Sequence, residues 1–416
     1  MRIAIIGGGV SGLVAAYSLE KMHDVVLFEK EGRCGGHAYT VDVSVKGRNY
    51  TADFGFSLFE RKTFPRFSAL LDDLGVPTFQ PNMTFGCYTT SDSIGYVVKA
   101  KGIPVRAATA RSVLSGRLLR LVAEKWRFDK MAEEIDTSPL ESKELYSFVR
   151  SAGFSESFYL MLLNPLVAMM SALPKTESSK VSAGWFIRSY RRIRVGEKFV
   201  ESIRGGSREY VNALVDRLRI ERVLNADIAS VERVEGGVKV RVAGAEHDFD
   251  QVIFAVPPGE ALRLLSDASD EERDVLGGFR YSSKDYYIHA DARFMPPNQR
   301  YWASRNYFAD ALTDEEARIT YWQSNIFGYA DAPHIFLSTD AGVPPREDLI
   351  YARTRFSHPI PDGGYAQRQA ALANLQGRNE AWFCGAYTCG TGWHEDAIES
   401  AVDVATQLSG RFPLDV

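Results

Sequence analysis

The sequence predicts an α/β fold of two interleaved lobes. Three observations lead there. The chain opens on a strand–glycine turn–helix–strand unit. Its middle passes from a helical run to aromatic, strand-like runs. Its end returns to a strand, a glycine turn and a helix.

Residues 2–6, RIAII, are apolar and β-prone, and Gly7-Gly8-Gly9-Val10-Ser11-Gly12 follows at once. Val10 to Met22 carries an amphipathic helix pattern, and Asp24 to Phe28 leads into Glu29. Together these make the dinucleotide fingerprint in its required frame. Gly7 supplies the tight turn, Gly9 lets backbone approach a pyrophosphate, and Gly12 lets helix pack on strand. The helix N-terminus at Val10 and Ser11 then faces negative phosphates. Glu29 is placed to accept a ribose hydroxyl. A second glycine pair follows in Glu29-Lys30-Glu31-Gly32-Arg33-Cys34-Gly35-Gly36-His37, adding bare amides near phosphate with Arg33 as a cation.

The chain has 416 residues, enough for two lobes with real cores. Hydrophobic content of 45% and charge of 25% are those of an ordinary globular protein. A net charge of −4 excludes general nucleic-acid binding. Cys34, Cys87, Cys384 and Cys389 are too few for a disulfide scaffold, and no histidine pair completes a zinc pattern. They read as reduced thiols with no metal, in a cytoplasmic setting. The apolar start is broken by glycines too early for a signal peptide. No apolar run is long enough to span a bilayer, and Phe158 to Leu173, broken at Asn164-Pro165, reads as a buried helix wall.

The dinucleotide-binding lobe is assigned to 1–80, 201–283 and 371–416, and the substrate lobe to 81–200 and 284–370. Residues 81–100 alternate as strands and 104–195 read as helical. Gly205-Gly206-Ser207 opens a helix to Leu218 with Ser207 as its cap. Residues 221–254 read as strands, as do DYYIHAD, RYWASRNYF, ITYWQSN and HIFLSTD within 284–340. Trp382-Phe383-Cys384-Gly385-Ala386-Tyr387 is a strand ending in glycine, and the last helix starts near Gly392.

These motifs resemble the glutathione-reductase-type FAD proteins, specifically the amine oxidase, protoporphyrinogen oxidase and phytoene desaturase superfamily. There the second glycine pair reads E-x-x-x-R-x-G-G-R with a D-x-G downstream. Here it is Glu29, Arg33, Gly35 and Gly36, then Asp53-Phe54-Gly55-Phe56, with His37 where most relatives carry arginine. The resemblance implies a Rossmann FAD domain and a mixed sheet-plus-helices substrate domain. It also implies non-covalent FAD held by Gly7, Gly9, Val10, Ser11, Gly12, Glu29, Lys30, Arg33, Gly35, Gly36, His37 and Phe56. Further along it adds Ile228 on an adenine-contacting strand, Ala255 in an A-x-P-P turn, and Gly385, Trp393, Asp396 and Ala397 in the closing motif. In that motif the helix opening near His394–Asp396 lies against the flavin ring. His394 and Glu395 are the candidates for proton transfer, and Tyr387 with Trp393 for an aromatic pair.

The stretches Gly35 to Val43, Asp53 to Phe59 and Cys384 to Asp396 are similar to small bacterial flavoproteins encoded beside cyclopropane-fatty-acyl synthases. Flavin-dependent polyunsaturated fatty acid isomerases share the layout. That likeness implies desaturation, or double-bond movement, on a hydrophobic acyl, lipid or polyene-type substrate. An amine oxidase, a natural-product tailoring oxidase and a non-catalytic FAD-binding protein are the alternatives. Gly236-Gly237 and Gly277-Gly278 lack a following helix pattern, so no second dinucleotide frame for a nicotinamide cofactor is expected.

Two basic groups stand out. Lys99 to Lys130 carries Lys99, Lys101, Arg106, Arg111, Arg117, Arg120, Lys125, Arg127 and Lys130 against Glu124 and Asp129. Val113, Leu114, Leu118, Leu119, Leu121, Val122 and Trp126 fall among them at helical spacing. Such a stretch suits a membrane surface or an anionic acyl carrier, or a solvated face over a core. The first partner would place the chain at the inner face of a membrane. Arg188, Arg191, Arg192 and Arg194 form the second group, suited to anchoring a carboxylate or phosphate or to plain surface.

Overall fold

The computed structural model describes residues 1–91, 94–99, 105–171, 173, 175–196, 200–311, 317–329, 332–339 and 342–414. Its first sheet is parallel and five-stranded. The order is Glu221–Leu224, Asp24–Glu29, Arg2–Ile6, Gln251–Phe254 and Ala381–Phe383. Ile3 to Ile6 and Val25 to Phe28 are buried on both faces, as a parallel sheet covered on both sides requires. The helix Val10–Leu19 covers one face and is packed by His394–Gln407 and Arg208–Arg217. It is shorter than the expected Val10 to Met22 and is not amphipathic. Every residue from Ser11 to Leu19 is buried, because neighbouring helices close over its outer side.

The second sheet has eight strands. Its order is Ile350–Pro359, Tyr281–His289, Phe336–Thr339, Arg318–Trp322, Arg305–Ala309, Thr84–Thr89, Gly95–Lys99 and Val105–Ala108. All pairs are antiparallel except Arg305–Ala309 with Thr84–Thr89. Helices Arg117–Glu134, Asn164–Ser171 and Ala183–Gly196 share one apolar cluster with part of this sheet.

Several sequence expectations change. The 104–195 segment begins on a strand, Val105–Ala108, before turning helical at Ala110. The ITYWQSN run ends as a strand at Trp322, and Gln323 starts a helical turn. The strand Ile350–Pro359 and the hairpin Thr40–Val45 with Arg48–Asp53 went unread, as did the helices Pro65–Leu74, Pro258–Leu264, Asp270–Gly278 and Tyr365–Ala373. The hairpin matters for the site. Val43, Ala52 and Phe54 pack against Tyr286, Ile288, Leu337 and Phe356 of the eight-stranded sheet. The chain leaving the glycine pair is thereby fastened to the eight-stranded sheet. No helix among the described residues is long and apolar enough to cross a membrane.

Gly12 fixes the first crossover. A Cβ there would lie 1.9 Å from the Gly7 carbonyl oxygen, and Gly7 itself has φ +108°. Helix and strand approach closer than any side chain allows. Gly12→Ala is therefore expected to yield protein that retains no bound flavin, read from the visible absorbance of the purified chain. Normal flavin retention would contradict this reading.

Candidate active site

The phosphate-binding end is built from backbone. Gly8 N donates to Glu29 Oε2 at 2.6 Å and Glu31 N to Glu29 Oε1 at 2.8 Å, which holds the buried carboxylate at the end of its strand. Gly35 N donates to Gly8 O at 2.8 Å, tying the second glycine pair to the first. A Cβ on Gly9 would meet nothing within 4 Å, and one on Gly36 only Gly9 Cα at 3.3 Å. The two glycines thus leave an open cradle of bare amides beside the start of Val10–Leu19, which fits a pyrophosphate. Ala255 N donates to Ile6 O at 2.8 Å at the cradle floor. Ala226 N to Glu29 O at 2.9 Å brings the strand that starts at Ile228 beside Glu29, the acid expected to meet a ribose. Lys30 is exposed, and Arg33 folds over Tyr39 at 3.8 Å while donating to Cys34 O and Gly36 O. All four cysteines are free thiols, and burial pushes Cys34 upward in pKa.

The opposite end is the start of His394–Gln407, where three successive side chains reach three different elements. The buried Asp396 accepts from Thr391 N at 3.1 Å, Trp393 N at 2.8 Å and Arg192 Nη1 at 2.7 Å. Glu395 accepts from Arg66 N at 2.8 Å and Phe67 N at 3.0 Å, capping the helix Pro65–Leu74. His394 stacks on Phe56 at 3.8 Å and 8°, and its Nε2 lies 3.1 Å from the Tyr210 hydroxyl. Among the described residues the amides of His394 and Glu395 find no acceptor. Such first-turn donors suit a developing negative charge on a flavin ring.

This geometry revises two expected catalytic residues. Glu395 has both carboxylate oxygens engaged in a helix cap, so its expected proton-transfer role gives way to a structural one. Burial nonetheless raises its pKa to about 7. Tyr387 does not pair with Trp393. It is buried against Phe279 with ring centroids 5.3 Å apart and belongs to a different apolar cluster. Trp393 instead packs near Phe64 at 6.2 Å, with the Arg192 guanidinium 5.1 Å from its ring. Gly385 N donates to Ser400 Oγ at 2.9 Å, and Ala397 N to Trp393 O at 3.1 Å.

Asp53 is a second buried node. It accepts from Thr40 Oγ1 at 2.5 Å, Ser207 N at 3.1 Å and Ser207 Oγ at 3.0 Å, and burial raises it to about 6. Ser207 therefore donates rather than caps, and Thr40 Oγ1 accepts the Arg208 amide in its place. The arginine group is likewise structural. Arg188 pairs with Glu141, Arg191 donates to the Ala132 and Ile135 carbonyls, and Arg192 holds Asp396. The side chain of Arg194 lies outside the described residues.

A histidine cluster joins the glycine-pair segment to the eight-stranded sheet. His37 stacks on Phe356 at 4.4 Å and meets His358 at 5.0 Å, and His358 Nδ1 is 3.4 Å from the Tyr286 hydroxyl. Loss of hydration lowers His37 to about 4, and His358 and His394 to about 3, with mutual repulsion through His37 adding to it. All three are neutral at physiological pH. His358, Phe356 and Tyr286 were not singled out from sequence. The signal was present: Phe356 and His358 are two apart, so they share one face of a strand.

Residues 10–324 match the family model of flavin containing amine oxidoreductases. AofH of Mycobacterium tuberculosis, provisionally assigned as a flavin-containing monoamine oxidase, is 23% identical over 357 residues, covering 80% of this chain and 73% of AofH. The structure of a CLA-producing fatty acid isomerase from P. acnes superposes with TM-score 0.68 at 17% identity, covering 98% of both chains. Wild-type putrescine oxidase bound to putrescine superposes with TM-score 0.71 at 15% identity, covering 98% and 99%. At such identities the likeness establishes the fold.

Two outcomes follow from the electrostatics. The histidines' folded values lie below their ordinary 6.5, so their contribution to stability is present above pH 6.5. It is lost as pH falls through about 4. Asp53 acts oppositely, losing its contribution as pH rises from 3.8 toward about 6. His358→Asn is expected to flatten the fall in Tm on acidification below pH 6.5 relative to wild type; an unchanged slope would count against the cluster. Arg192→Met leaves the buried Asp396 without its countercharge and should cost about 3 kcal/mol in urea unfolding.

Proposed function

The chain belongs to the flavin-containing amine oxidoreductase family, and we propose that it acts on a hydrophobic acyl, lipid or polyene-type substrate, desaturating it or moving a double bond. It is an FAD-dependent oxidoreductase. FAD, when bound, supplies an acceptor for a hydride. The remaining tasks belong to the protein: to hold a C–H bond in place, exclude water, and accept or return a proton.

The observation that carries the substrate reading is an aromatic and imidazole wall gathered from several elements. Phe356 stacks on His37, Phe56 on His394, and Phe64 lies beside Trp393, while loss of hydration lowers the pKa of the three histidines. A neutral aromatic wall favours an apolar chain over an ion. An allylic C–H is easier to break than a saturated one, so the substrate should already carry unsaturation. His37 and His358 are unprotonated and can take up a proton only transiently, as weak bases. The likeness to a fatty acid isomerase supports the same reading. Amine oxidation is the second reading, favoured by AofH and by the aromatic pair of Phe64 and Trp393.

The test is anaerobic addition of unsaturated fatty acids to the holoprotein, beside benzylamine and putrescine. Loss of the visible flavin band with the lipid, or an intact band with a shifted double bond, is expected. Reduction by an amine alone would overturn the proposal in favour of the second reading. His358→Ala should lower kcat with the lipid by about a hundredfold while retaining the flavin spectrum.

A further inference from the structure

We propose that the outward face of the helices Ala110–Leu114 and Arg117–Glu134 docks on an anionic lipid bilayer. This goes beyond the substrate reading and stands independently of it.

The helix Arg117–Glu134 has two apolar faces. Leu121, Phe128 and Ala132 are buried against the protein. Leu119 and Trp126 lie one heptad apart on the opposite side, exposed by 76% and 70%. Leu114, at the end of the preceding short helix, is 86% exposed and its neighbour Val113 is 54% exposed. Single exposed apolar residues are ordinary, but these four stand within one short stretch. Nine large hydrophobics are exposed among the described residues, and these are four of them.

Charge selects the partner. Arg111, Arg117, Arg120, Arg127 and Lys130 are exposed along the same stretch; Glu124 is buried, bonded to Ser155 and 3.7 Å from Arg120, and Arg127 donates to Gly153 O. Lys125 and Asp129 neutralise one another at 2.9 Å. The whole chain carries −4, yet Lys99 to Lys130 carries nine basic residues against two acids. Lys101 and the side chain of Arg106 lie outside the described residues. A protein partner would need a surface shaped to these side chains. Separate protruding Leu and Trp side chains ringed by arginine need only an interface of acyl chains beneath anionic headgroups.

The experiment is flotation of the full-length holoprotein with vesicles of phosphatidylglycerol in phosphatidylcholine, against phosphatidylcholine alone. Preferential binding to the anionic vesicles is expected, weakening with salt. Leu119→Ser with Trp126→Ser should reduce partition about tenfold or more. Each of Arg111→Gln, Arg117→Gln and Arg120→Gln should reduce it about fivefold. These residues face outward, so the variants should keep their flavin absorbance. A second readout does not depend on those variants: brominated acyl chains should quench wild-type tryptophan fluorescence, and Trp126→Phe should remove that quenching. Equal partition of wild type and the double variant would overturn the proposal. So would indifference to lipid charge, or capture by an acidic acyl carrier protein without vesicle binding.

Discussion

The buried ion pair of Arg192 with Asp396 fixes the geometry on which the site depends. Asp396 is 2% exposed, and a carboxylate that deep survives only if paired and hydrogen-bonded. Arg192 arrives from the helix Ala183–Gly196, while Thr391 and Trp393 belong to the closing loop. One carboxylate thus joins the helix Ala183–Gly196 to the loop that starts the last helix. Its neighbours extend the constraint. Glu395 holds the start of Pro65–Leu74 and His394 meets Tyr210 on Arg208–Arg217. The two free amides at this helix start are therefore positioned by several elements at once. Donors fixed before the reaction stabilise charge without further reorganisation.

The second constraint is the pairing of the arginines around the start of the last helix. Arg188 is held by Glu141, Arg191 by carbonyls and Arg192 by Asp396. The rings of Phe56, Phe356 and the three histidines pack on one another. The same loss of hydration that lowers the histidines' pKa leaves those rings uncharged and makes them weak bases.

Local signals were legible in the sequence and distant ones were not. The fingerprint from Arg2 to Glu29 could be read because its strand, glycine turn and helix are neighbours in the chain, and Gly12 packs where its motif placed it. The role of Glu395 could not be read. Its partners, Arg66 and Phe67, lie more than 300 residues away, and no local pattern says which helix a carboxylate will cap. Tyr387 failed for the same reason, since its direction is set by Phe279. The strand Ile350–Pro359 was missed differently. It lies at the sheet edge, where Arg353 and Arg355 face solvent, so its apolar alternation is diluted by charge. With it went His358, the residue that completes the histidine cluster.

The basic helix and the flavin end are mechanically close. Asp129 on Arg117–Glu134 accepts from the Tyr190 hydroxyl at 2.5 Å, and Arg191 donates to carbonyls at that helix's C-terminal end. The next residue, Arg192, holds Asp396. Three consecutive residues of Ala183–Gly196 therefore link the outward-facing helix to the loop that positions Trp393.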